Sequence, residues 1–126
     1  MAVKWHKQKS CGFVTLNNPP GNSINHNMRE DLITAVEWAE REGLERVILS
    51  GVGRGFAAGA DTKEFDRPAV APHLPDVINH IEASTIPWIA AIHGAVLGGG
   101  GELALGCRYR IARADATIGF PEVILG

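Results

Sequence analysis

Apolar positions follow two rhythms along this chain. Some form short runs bounded by turn residues, and others recur at helical spacing between them. Cys11 to Leu16 reads as a strand that stops at the turn signal Asn17-Asn-Pro-Pro-Gly21. Met28, Leu32, Ala35/Val36 and Ala39 then recur as one helix face. Asn27 is the expected N-cap, Glu30 its capping-box partner and Gly43 the stop. Arg46 to Ser50 is a buried strand by its Val-Ile-Leu run. Gly51-Val-Gly-Arg-Gly55 is a loop, followed by Phe56-Ala-Ala-Gly-Ala-Asp61.

Asp61 is placed to cap a short helix through Phe65. Pro68, Pro72 and Pro75 punctuate the next connection, with Pro75 suited to a first helical position. Val77, Ile78 and Ile81 give a helix that ends before Pro87. Trp88 to His93 is a strand, Glu102 to Cys107 a helix, and Tyr109 to Ala112 and Thr117 to Gly119 short strands. Phe120-Pro-Glu-Val-Ile-Leu-Gly126 closes on an apolar stretch. Strands alternating with helices imply an α/β fold with mostly parallel pairing.

Composition narrows the function classes. A chain of 126 residues with 45% hydrophobic residues is one domain's worth of soluble globular protein. No apolar run approaches the ~20 residues of a membrane span, and Met1 to Lys9 lacks the apolar core of a signal peptide. Two cysteines, Cys11 and Cys107, cannot build a disulfide framework, so a reducing, cytoplasmic setting is expected. A formal net charge of −2 and scattered tryptophans at 5, 38 and 88 give no reason to expect nucleic acid or an anionic membrane as partner. The five histidines have no ligand spacing, so no metal is expected; His93, at a strand end, reads as a hydrogen-bonded structural residue. Gly51-Val-Gly-Arg-Gly-Phe lacks the spacing of a dinucleotide loop.

Glycine, at 15 residues, exceeds the usual ~7%. The excess is concentrated in specific loops, above all in Gly98 to Gly101, which runs into Glu102-Leu-Ala-Leu-Gly106. Strand, glycine run and short helix in that order set open backbone N–H groups at the positive end of a helix dipole. The absence of Cβ atoms lets a substrate carbonyl approach them, and a carboxylate stands alongside. Alone, Glu102 could simply favour the dipole, and Glu122 after Pro121 could be an ordinary turn residue.

Three stretches carry a resemblance to a known family: Phe56-Ala-Ala-Gly-Ala-Asp61, then Pro87-Trp-Ile-Ala-Ala-Ile-His-Gly94 continuing into Leu97-Gly-Gly-Gly-Gly-Glu-Leu-Ala-Leu105, and Gly119-Phe-Pro-Glu-Val-Ile-Leu-Gly126. Together with Asn18-Pro-Pro-Gly-Asn-Ser-Ile-Asn25 they resemble the crotonase (enoyl-CoA hydratase/isomerase) superfamily. The segment Phe65 to Glu82 looks most like the hydratase end of multifunctional β-oxidation enzymes. The resemblance implies a ββα spiral, here a single partial domain over residues 1–126. Crotonase domains run to roughly twice this length, a size at which one core is still comfortable. The chain is therefore expected to be truncated, without the C-terminal helices that close the acyl pocket and make trimer contacts.

The resemblance also implies the site. The backbone N–H groups of Ala60 and Gly99 would form an oxyanion hole for the thioester carbonyl. Glu102 and Glu122 would be the acid/base pair, one activating water and the other sharing it and handling the α-proton. Ala58, Ala60, Asp61, Thr62, Lys63, Gly98 and Gly99 match the stretches that line CoA and substrate, Thr62 standing where relatives usually have Ile or Leu. Lys63 could face a CoA phosphate or simply be solvated. Two glutamates in two separate motifs favour hydration of a trans-2-enoyl-CoA to a 3-hydroxyacyl-CoA in fatty-acid β-oxidation. Alternatives are Δ3,Δ2-enoyl-CoA isomerisation and a non-catalytic acyl-CoA-binding module. No separate cofactor is implied, since the CoA thioester is the substrate. A homo-oligomer, trimeric or a multiple in relatives, is expected because a half-built spiral would expose apolar surface.

Overall fold

A computed structural model describes residues 2–119 of the chain. Its largest sheet has the order β1 (Val3–Gln8), β2 (Cys11–Leu16), β4 (Arg46–Gly51), β7 (Trp88–Ile92), β9 (Tyr109–Ala112). The β1–β2 pair is an antiparallel hairpin, and every other pairing in this sheet is parallel. Parallel neighbours need crossovers. One of these is α1 (His26–Arg41), preceded by the two-residue strand β3 (Ser23–Ile24).

Alternation along β2 and β7 turns Val14 and Leu16, and Trp88, Ala90 and Ile92, to one deeply buried face. Val3, Val47 and Leu49 join them, and the Met28, Leu32, Ala35, Val36 and Ala39 stripe of α1 belongs to the same core. That stripe is the one the helical spacing predicts. Gly43 ends the helix as expected, at φ 62. Its N–H donates to the Glu40 carbonyl and that of Leu44 to Ala39, the two bonds of a Schellman cap.

The other end of α1 corrects the sequence reading. The N-cap is Asn25, two residues before Asn27, and its Oδ1 accepts the Met28 N–H at 2.9 Å. Asn25 follows directly on β3, whose pairing with β6 (Gly59–Ala60) fixes where the chain leaves the strand. The sequence pattern also passes over β1, whose lysines suit the end of a sheet better than its centre. It passes over β5 (Gly55–Ala57), β6 and β8 (Ala95–Leu97) too, each too short to show a period.

A smaller parallel sheet, β10 (Thr117–Gly119), β8, β5, stands beside the first. Asp61 caps a short 3₁₀ turn, Thr62–Glu64, its Oδ1 accepting the Lys63 N–H at 2.9 Å. This turn ends one residue short of the expected helix. Next come α2 (Leu74–Ala83) and α3 (Gly99–Gly106), which pack on each other. The expected helix over Glu102 to Cys107 thus begins three residues earlier, inside the glycine run. Glycine is a poor helix former. Packing overrides that here, because a Cβ on Gly100 would stand 2.4 Å from the Ala57 carbonyl oxygen.

Candidate active site

The chain enters α3 through Gly98, at φ 48 and ψ −117, a conformation closed to residues with a Cβ. Its N–H donates to the Gly119 carbonyl at 2.8 Å, so Gly98 contributes a turn to the site and its amide is committed to β10. Gly99 comes next, at the first helical position, where an N–H has no acceptor in its own helix. Across from it runs β6. A methyl placed on Gly99 would lie 4.0 Å from the Ala60 nitrogen, and one placed on Gly59 would lie 3.2 Å from the Gly99 nitrogen. The two amides named from the resemblance are therefore neighbours, on elements 39 residues apart in sequence (99 less 60).

Gly59 escaped the sequence reading and has two reasons to be glycine. Its φ is +90, and any side chain there would crowd the Gly99 N–H. Asn22 escaped it as well. Fully buried, it accepts the Asn18 N–H at 2.8 Å and donates to the carbonyls of Val52, Gly55 and Phe56 at 2.9, 3.2 and 3.2 Å. Its own carbonyl accepts the Ala58 N–H at 3.3 Å, which ties the first loop to the segment carrying Ala60.

Beside Ala60 opens a cavity of about 530 Å³. Leu74 at the start of α2 forms part of its lining, and its Cδ2 would sit 2.7 Å from a methyl on Gly99. Phe65, Pro68, Ala69 and Val70 give it an apolar wall. Asp61 lines it too, with one carboxylate oxygen engaged in the 3₁₀ cap. Lys63 is exposed beside an adjoining depression of about 280 Å³ that Arg67 also lines. The Thr62 side chain lies outside the description.

Glu102 occupies the first turn of α3, exposed, where the helix dipole favours an acid. It is not among the described residues that line the large cavity. Glu122 lies outside the described residues. His93 is the hydrogen-bonded residue anticipated, with Nε2 2.7 Å from the Gly53 carbonyl, to which it donates. Among the described residues no cluster of three or more His, Cys, Asp or Glu side chains has metal-holding geometry. None of the described helices is long and apolar enough to cross a membrane.

Residues 6–126, nearly the whole chain, match the enoyl-CoA hydratase/isomerase family. The chain belongs to that family. A Bacillus subtilis protein named as a probable enoyl-CoA hydratase is 42% identical over 99% of this chain and 52% of its own length. A peroxisomal bifunctional enzyme of Danio rerio is 41% identical over 94% of this chain and 17% of its own. The crystal structure of an enoyl-CoA hydratase from Thermoplasma volcanium superposes with a TM-score of 0.87 at 32% identity, over 97% of this chain and 52% of that one. The chain thus has the crotonase fold and spans about half the length of the hydratases it matches. The resemblance to a multifunctional β-oxidation enzyme is also borne out.

Proposed function

We propose that this chain carries the enolate-holding part of an enoyl-CoA hydratase active site. The observation behind this is that the Ala60 and Gly99 amides are neighbours and that Ala60 lines a cavity with an apolar wall. A trans-2-enoyl thioester with its carbonyl oxygen between those N–H groups has a sink for the charge that appears there when water adds at the β-carbon. Glu102, with Glu122, is the acid/base pair: one carboxylate activates the water, and the other shares it and handles the α-proton. The water's oxygen ends on the β-carbon and a proton on the α-carbon, giving a 3-hydroxyacyl-CoA.

The apolar wall would take the acyl chain. Lys63 and Arg67, both exposed on the adjoining depression, would meet CoA phosphates. Addition of water transfers no electrons and draws on no separate cofactor. Self-association belongs to the same reading, supported by the exposed Leu105, Tyr109, Ile111 and Ile118 side chains. A cytoplasmic location is proposed with it, from the free thiols of Cys11 and Cys107.

Loss of the enoyl-thioester ultraviolet absorbance on adding crotonyl-CoA to the purified chain tests the hydratase reading. Glu102→Gln should lower turnover at least ~10²-fold, the usual worth of a general acid or base. Turnover unaffected by that change removes Glu102 from the mechanism. The exposure of Glu102, apart from the large cavity, favours a second reading, an acyl-CoA-binding module. Thioester binding without turnover would select it, and turnover of a 3-enoyl-CoA alone would select isomerisation.

A further inference from the structure

The wall of the large cavity is an irregular segment, residues 65–73, between the 3₁₀ turn and α2. Its far end is held by the first turn of α1. The Arg29 guanidinium, with its side chain only 11% exposed, donates from Nε to the Pro72 carbonyl at 2.7 Å and from Nη2 to that of Val70 at 3.5 Å. His26 Nε2 donates to the Ala71 carbonyl at 2.8 Å. The same guanidinium grips the near end, with Nη1 3.1 Å from Glu64 Oε1, while Glu64 Oε2 accepts the His26 N–H at 2.8 Å. A further bond from Nη1 goes to the Ile24 carbonyl at 3.1 Å, in β3, the strand paired with the one that bears Ala60.

We propose that Arg29 is a positioning residue for acyl-chain selection, fixing the cavity wall at a set distance from the Ala60 amide. The inference rests on the hydratase-type site described above and adds to it the element that sets how much chain the cavity holds. One planar fork reaches both ends of the wall and β3, the strand paired with β6, together. A lysine, as a point charge, could keep Glu64 and would lose the simultaneous grip on Pro72 and Ile24. A short acyl group beside Ala60 and Leu74 does not depend on the wall, whereas a long one does.

Calorimetric binding of butyryl-CoA and decanoyl-CoA tests this, using the full chain, Arg29→Met and the double variant Arg29→Met/Glu64→Gln. The double variant leaves no unpaired Glu64 charge, and circular dichroism reports whether each protein is folded. Lost contact with about two methylenes predicts about tenfold weaker decanoyl-CoA binding in both variants. Butyryl-CoA binding should stay within about twofold, a change worth less than 1 kcal/mol. Arg29→Lys should resemble Arg29→Met on decanoyl-CoA. Equal weakening of both thioesters would make Arg29 merely structural, and no change in either would free the wall from it; each overturns the inference. Failure of the unsubstituted chain to bind either thioester would overturn the site itself, and the inference with it.

Discussion

The Leu74 side chain lies over Gly99, so near that a methyl on that glycine would stand 2.7 Å from Leu74 Cδ2. The packing brings the first residue of α2 against the first of α3 and places an apolar group in the lining of the cavity.

Two substitutions at Gly99 separate donor from shape. Gly99→Ala keeps the N–H and displaces only the tip of Leu74, while Gly99→Pro also removes the N–H at a helix position where proline is tolerated. The proline variant should hydrate crotonyl-CoA about 10²–10³-fold more slowly than the alanine variant. Equal rates would mean that the Gly99 amide is not an oxyanion donor.

Asn22 should prove a stability residue. Asn22→Ala leaves the Asn18 N–H and the carbonyls of Val52, Gly55 and Phe56 without their partner, and puts alanine at φ 58. A loss of about 1–3 kcal/mol is expected for the unsatisfied buried groups, read by urea denaturation. An unchanged midpoint would show that water replaces the amide freely.

Burial pushes the Cys107 thiol from its ordinary 9.0 up to about 12, against a smaller pull downward from Arg110. The folded protein therefore retains a proton that the unfolded chain releases above pH 9. The associated stability is complete below pH 9 and declines as pH rises towards 12, by about 1.4 kcal/mol per pH unit. Urea titrations should show the native sequence losing roughly 1 kcal/mol between pH 8 and pH 10, and Cys107→Ala losing less. Parallel behaviour of the two proteins would place the alkaline sensitivity elsewhere.

Tyr109 and Ile111 alternate onto one face of β9, both largely exposed. Light scattering coupled to size-exclusion chromatography should return a mass above that of one chain, and Ile111→Asp should lower it. A monomeric mass for the native sequence would count against self-association.

The α1 stripe, its Gly43 stop and the strands β2, β4 and β7 were legible in the sequence because burial imposes a pattern along the chain. The reach of α3 back to Gly99 and the strands β5, β6 and β8 were not, because packing against distant backbone decides them. Ala60 and Gly99 could be named only from the motifs that carry the resemblance. The Arg29–Glu64 pair, 35 residues apart, leaves no local signal at all.

The sequence alone determined an α/β chain of parallel strands and glycine-rich loops in the crotonase family, since periodicity and motif order are written along the chain. Only the tertiary structure decided which amides meet, what lines the cavity beside them and what holds its wall. Those depend on where β3, β6 and the ends of three helices come to rest against one another, and such contacts follow from packing in space, which spacing along a chain does not encode.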